Sequence, residues 1–393
     1  MEDAFAMWIS VAHTHSEPQT ITVGPPQTTV VRAAVTLHLV PAGVTQLSPQ
    51  HPQHPQRPRQ LADQRLPPPF CPARRAKHLL PPLRPPVPPH HALQMDHSLS
   101  DTAFAMPEAN GTLSWEGPNL SRFAVEAKKA GTKVLVAFGG WSGSYGFSRM
   151  VANTTTRRIF VNNAVGIVNS NALDGVDLDW EYPGSAGETN NFNASSDVRN
   201  FLTLLQDLRL ALGPAKLITA AVAGQTWQIN GIPATNLSSH AAYFDFINLM
   251  NYDNVGAWVS RTGHDSSVQS NDAGVANWVA AGFPRSKIVT GYPFYAKIAG
   301  EVAKNSTTKG LNAAYTGYVS PYISYAELKP VLAAGNYSRS WDVGAESAWW
   351  WSSCLGRFVT APDAQSAWSR GRLARSQGLK GVMVWEIGQD DEG

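Results

Sequence analysis

Cysteine is almost absent from this chain: Cys71 and Cys354 are the only two in 393 residues, which excludes a framework of disulfides. No run of eighteen or more apolar residues occurs, so no membrane-spanning helix is predicted. The opening MEDAFAMWISVAHTHSEPQ lacks a basic segment followed by a continuous apolar stretch and a small-residue cleavage site, so it does not read as a secretory leader. An excess of one charge is lacking too. A net charge of +2 argues against a dedicated nucleic-acid or other polyanion binder.

Proline and histidine become scarce after residue 97. Residues 1–97 hold 18 of the 28 Pro and 9 of the 11 His, but only one of the 13 Trp. From His51 to His91 the proline density forbids helices and sheet ladders, and residues 1–97 are predicted to be a disordered Pro/His/Gln-rich extension. Seven Asn-x-Ser/Thr triplets, at Asn110, Asn119, Asn153, Asn193, Asn236, Asn305 and Asn336, all follow that region. They favour an extracellular protein modestly.

From residue 98 short apolar runs alternate with helical periodicity, the pattern of repeated βα units and a parallel sheet. Strands are predicted at 102–106, 133–138, 175–180, from about 217, 244–252, 288–295 and 381–387. Helices are predicted from about 120 to 130, 155 to 170, 197 to 212, 273 to 281 and 363 to 376. A TIM (β/α)8 barrel needs an eighth strand, and the first is missing or replaced. Residues 30–40 and 5–11 are the best substitutes. The interval between Tyr295 and Asp363 exceeds a βα connection, so a small lobe is predicted over about 298–360.

The chemistry concentrates in DGVDLDWEYPG, residues 174–184. Strand side chains alternate, so Asp177, Asp179 and Glu181 face one side, which in a barrel is the interior, with Glu181 at the C-terminal mouth. Same-face carboxyls only ~7 Å apart along the backbone cannot all ionise independently. A shared proton suits general acid catalysis by Glu181. A magnesium site made of the three carboxylates is the competing chemical reading, but the aromatic surroundings suit a sugar better, and neither metal nor cofactor is expected.

This strand resembles the D-x-x-D-x-D-x-E signature of family 18 glycoside hydrolases, the chitinases and their relatives. FGGWSGS, LMNYD, GYPFYAK and GVMVWEIGQD extend the resemblance over about three quarters of the chain, each at a strand end. It implies a family 18 domain over 98–393, acting as a monomer on chitin or chito-oligosaccharides by retaining, substrate-assisted hydrolysis, an exception to the two-carboxylate scheme. By analogy Glu181 protonates the leaving oxygen, Asp179 orients the acetamido group that attacks the anomeric carbon, Asp177 shares the proton of Asp179, and Tyr252 hydrogen-bonds the acetamido oxygen. Met250 and Asp253 shape the pocket and Trp385 is its floor. Gly140, Trp141 and Tyr182 are further sugar contacts. A chitinase-like protein that binds chito-oligosaccharides without turning them over is the alternative.

Two departures touch Asp177. The family's Ser-x-Gly-Gly is here Ala137-Phe138-Gly139-Gly140, and no tyrosine-bearing first strand precedes Ser98. The first removes a hydrogen-bond donor expected near a buried acceptor, at a cost of ~1–3 kcal/mol, and the second removes the aromatic that the resemblance implies as a further support of the same aspartate.

Overall fold

A computed structural model describes residues 104–114, 120–129, 132–188 and 194–390, all within one compact unit. The extension 1–97 and both substitute first strands lie outside the described residues. In chain order the parallel strands are β1 (Phe104–Pro107), β2 (Leu135–Gly139), β3 (Gly175–Asp179), β4 (Leu217–Ala223), β5 (Phe246–Met250) and β6 (Ile288–Pro293). An antiparallel set follows: β7 (Tyr295–Gly300), β8 (Gly317–Ser324), β9 (Ser338–Asp342), β10 (Ser347–Ser352) and β11 (Arg357–Thr360). The last parallel strand is β12 (Gly381–Trp385).

Seven strands thus pair in parallel in the order β12-β6-β5-β4-β3-β2-β1, and a two-residue strand, Leu113–Ser114, adds antiparallel to the edge of β1. Among the described residues no strand pairs with both β1 and β12, so their backbone pairing alone leaves the barrel open there. The two end strands are close nonetheless, because the Phe104 ring on β1 stacks on Trp385 at the end of β12, centroids 5.7 Å apart.

Period-two alternation decides what each strand faces. Val176, Leu178 and Trp180 belong to the large core between sheet and helices, as do Ile247 and Leu249. Their sequence neighbours turn inward: Phe246, Val289 and Met383 form a separate inner cluster against which Met250, Tyr252 and Trp385 pack. The outer layer includes helices Leu120–Lys129, Thr154–Ser170, Asp197–Leu212, Val268–Ala280 and Ala364–Ser376. The fourth starts five residues before the predicted 273, because Ser267 and Ser270 form a reciprocal capping box that extends it by a turn. Asp363 caps the last one.

The predicted strand 288–295 is two strands. Past Pro293 the chain leaves the parallel sheet: the Phe294 amide donates to the Trp385 carbonyl, and its own carbonyl accepts from Tyr325. Tyr295 therefore opens the antiparallel sheet, ordered β8-β7-β11-β10-β9, which lies between β6 and β12 in the chain. Its Trp349-Trp350-Trp351 run needs no site to explain it. Trp350 packs with Ile298, Leu328 and Val359 on one face, and Trp349 and Trp351 pack with Val302 and Phe358 on the other.

Candidate active site

The side chains that define the site come from the ends of the parallel strands. Glycine makes the first step possible. Gly139 and Gly140 hold φ of +104° and +79°, and a Cβ on Gly139 would stand 2.3 Å from the Asp179 carbonyl oxygen. Only glycine allows that backbone approach at positive φ. The Gly140 amide then donates to the Asp179 carbonyl at 2.8 Å.

Four residues on, the buried Ser144 hydroxyl completes the link. It accepts from the Glu181 amide at 2.9 Å and points its own hydrogen at the carbonyls of Gly140, 2.8 Å, and Asp179, 3.1 Å. The backbone on either side of the strand end is thereby tied to one hydroxyl. Beyond it, the buried Asp197 accepts from Ser148 Oγ at 2.6 Å and from the amides of Gly184 and Ala194 at 3.2 and 2.8 Å, pinning the loop that leaves Glu181.

Asp177, Asp179 and Glu181 do share one inward face, and all three are at least nine-tenths buried. Burial is the main reason why each carboxyl is held above its ordinary value. Asp177 is pushed up to about 7, against the opposing pull of a hydrogen bond from Thr219. Asp179 is raised by burial and then by the charges of Glu181 and Asp177 on either side. Glu181 is pushed up to about 7 by burial, partly offset by a hydrogen bond from Tyr182 and reinforced by Asp253. The three form a ladder along a strand rather than a ring around a point. Among the described residues no three His, Cys, Asp or Glu converge in a way that could hold a metal ion.

Asp174, the first acid of the motif, is not in this ladder. Its carboxylate accepts from the Val134 amide at 2.8 Å, so it fastens the start of β2 to the opposite end of β3.

Across the barrel, Tyr252 and Met250 line the inner face with Trp385. The Tyr252 hydroxyl is held protonated by burial and by the charges of Asp179, Asp253 and Glu181. Asp253, in a left-handed turn at φ +59°, accepts from the Tyr295 hydroxyl at 2.8 Å and from Lys297 Nζ at 2.6 Å. Trp141 stands 51% exposed at the end of β2. The structure therefore gathers Glu181, Asp179, Asp177, Tyr182, Tyr252, Met250, Asp253, Trp385, Gly140 and Trp141 around the same strand ends.

Five contributors were not singled out in the sequence. Lys297 is 4% exposed and bridges Asp253 to Asp265, whose Oδ1 accepts at 2.7 Å. Trp258, 68% exposed, lies on the loop after Asp253 with Lys297 Nζ 5.5 Å from its ring centroid. Tyr295 stacks on Tyr322 of the antiparallel sheet, centroids 4.1 Å apart. Ser144 and Thr219 are ordinary hydroxyls in the sequence. GYPFYAK carried a signal for Tyr295 and Lys297, since a lysine two residues after an inward tyrosine shares its face; nothing comparable marked Thr219 or Ser144.

Thr219 alters one expectation. Ala137 and Thr219 flank Asp177 in register, on β2 and β4 respectively, and the Thr219 hydroxyl donates to Asp177 Oδ1 at 2.5 Å. The donor missing at 137 is matched by one on the other neighbouring strand.

The profile of the glycosyl hydrolases family 18 matches residues 94–390. Chitinase A1 of Niallia circulans is 31% identical over 288 residues, covering 66% of this chain and 40% of that protein. A chitinase-like effector of Moniliophthora roreri is 34% identical over 227 residues, or 53% of this chain and 55% of the other. This chain thus spans about half the length of the two curated relatives. The crystal structure of a chitinase from Rhizomucor miehei superposes with a TM-score of 0.67 at 27% identity, over 74% of this chain and 89% of that one.

Proposed function

Since the chain belongs to the glycosyl hydrolases family 18, we propose that it is a chitinase-type hydrolase that cleaves β-1,4 bonds between N-acetylglucosamine units. The observation that carries this reading is the buried ladder of Asp177, Asp179 and Glu181 at the mouth of the parallel sheet. A carboxylic acid raised to about 7 is still partly protonated at neutral pH, as a general acid must be. Glu181 gives its proton to the leaving oxygen. The substrate's acetamido carbonyl attacks the anomeric carbon from the other face, oriented by Asp179 with Asp177 beneath it and met by the Tyr252 hydroxyl. Water then opens the resulting oxazolinium ion with retention, Glu181 now taking the proton back. Trp385, already stacked on Phe104, presents an aromatic floor to the sugar. Met250, Asp253, Trp141, Tyr182 and Gly140 bound the same pocket.

Residues 98–393 would act as the catalytic domain, as a monomer outside the cell. No helix among the described residues is long and apolar enough to cross a membrane. The competing reading, a binder of chito-oligosaccharides without turnover, is favoured by one observation, the alanine at 137 in register with Asp177, which offers no hydroxyl from β2. Fluorophore release from a labelled chitobioside or chitotrioside, beside the Glu181→Gln variant, tests both. Turnover lost in the variant supports the hydrolase; oligosaccharide binding without turnover in the unaltered chain replaces it with the binder.

A further inference from the structure

We propose that Asn251 is a positioning residue: its side chain, wedged between Gly224 and Gly274, fixes the direction in which Tyr252 faces the carboxyl ladder. This rests on the reading of the ladder and Tyr252 as hydrolytic machinery.

Tyr252 needs such a device because sheet pairing does not reach it. The ladder between β4 and β5 ends at Met250 opposite Ala223, and the one between β5 and β6 ends at Leu249 opposite Thr290. Met250 and Tyr252 both pack against the inner cluster. By alternation the residue between them points the other way, toward the core that includes Leu249, Val275 and Trp278. Asn251 is 3% exposed, so a carboxamide has to be accommodated there.

Two glycines make the room. A Cβ on Gly224, just past β4, would stand 2.7 Å from Asn251 Oδ1. A Cβ on Gly274 would overlap the same carboxamide, 2.9 Å from Nδ2 and 3.0 Å from Cγ. Gly274 lies inside the helix Val268–Ala280, where glycine is less favourable than alanine. The close approach of Asn251 is what excludes the alanine.

Hydrogen bonds tie the wedge to that helix. Asn251 Nδ2 donates to the Asn271 carbonyl at 3.4 Å, and the Asn251 carbonyl accepts from Ser266 Oγ at 2.9 Å. The helix also holds the end of β4, with Asn277 Nδ2 on the Gly224 carbonyl at 3.0 Å and Trp278 Nε1 on the Ala223 carbonyl at 2.8 Å. One helix thus sets both strand ends. Holding residue 251 outward holds residue 252 inward, and Asn251, facing away from the pocket, acts only through its neighbour.

The test is a double-mutant cycle of Gly274→Ala and Asn251→Ala, read by turnover of a fluorogenic chitobioside. Helix propensity alone predicts that Gly274→Ala leaves activity unchanged. The wedge predicts that the added methyl displaces Asn251. Then kcat falls about tenfold with KM changed less than about threefold, because the Tyr252 hydroxyl meets the acetamido oxygen during attack. Asn251→Ala by itself should lower kcat about fivefold. In that background the methyl at 274 meets no carboxamide and should cost less than about twofold more. Unchanged kcat in either single variant would overturn the proposal, and so would an equal loss from Gly274→Ala in both backgrounds.

If Gly274→Ala gives no cooperative melt, Gly224→Ala replaces it in the same cycle, with the same outcomes deciding. If the unaltered chain has no turnover, the hydrolase reading falls separately. Carbon NMR of labelled tyrosine rings, with Tyr252 assigned through Tyr252→Phe, then decides the role of Asn251. A Tyr252 signal that Gly274→Ala moves in the unaltered background but not beside Asn251→Ala supports the wedge. A signal that stays in place, or that moves equally in both backgrounds, refutes it.

Discussion

Two groups of acids stand within one site, and they are given different company. Around Asp253 and Asp265 the protein supplies a cation: Lys297 Nζ donates to both carboxylates and to the Val255 carbonyl at 2.6–2.7 Å. Along β3, what acts on Asp177 and Asp179 is burial, neighbouring negative charge and a threonine hydroxyl. Burial raises Asp265 to about 6, with the Lys297 ammonium offsetting part of that effect and holding the carboxyl in place. A buried acid with only other acids beside it holds protons near neutral pH. The first arrangement fixes geometry and the second stores the proton that the proposed hydrolysis needs.

Removing the cation should have the largest effect. Lys297→Met strands Asp265 in the interior, and unfolding by denaturant should show a loss of about 3–5 kcal/mol. Lys297→Met with Asp265→Asn should recover part of it. If the single variant is as stable as the unaltered chain, the contrast between the two groups fails.

The next effect is on pH dependence. Burial pushes Asp177 up to about 7 from its ordinary 3.8, so the folded state binds its proton more tightly than the unfolded chain does. The stability that this contributes is complete below about 4 and is lost as pH rises toward 7. Asp177→Asn should flatten the fall in melting temperature between pH 4 and 7 and leave the variant more stable than the unaltered chain at about pH 8. A parallel pair of curves would show that Asp177 is not a desolvated acid.

The smallest effect sharpens the role of position within the ladder. Ser144→Ala removes the hydroxyl that ties the Glu181 amide to the carbonyls of Gly140 and Asp179. It should lower kcat about tenfold with little change in KM, for roughly one hydrogen bond's worth of 0.5–1.5 kcal/mol. Ser144→Thr should keep the activity. Equal loss in both variants would mean that packing at 144 matters, not the hydroxyl.

Much of this architecture was written in local pattern. The seven parallel strands follow from short apolar runs between helical segments, and the inward set Asp177, Asp179 and Glu181 from period-two alternation, which a single strand expresses by itself. Gly139 and Gly140 were visible as a pair, though the Asp179 carbonyl that forces their positive φ was not. The break at Phe294 escaped because apolar residues continue without interruption through Pro293-Phe294-Tyr295; only the bonds to Trp385 and Tyr325 show where one sheet ends and the other begins. The early start of the helix at Val268 escaped because two serines capping each other do not stand out in a polar stretch.

The sequence alone determined which acids line the parallel sheet's mouth, because side-chain direction along a strand is a local property of the backbone. Tertiary structure decided their electrostatic company. Lys297 reaches Asp253 and Asp265 from 44 and 32 residues away, and Thr219 reaches Asp177 from 42. Such partners are set by strand register and by the path of the chain between sheets. A carboxyl's affinity for its proton depends on charges and donors within a few ångströms in space, and distance along the chain carries no information about them.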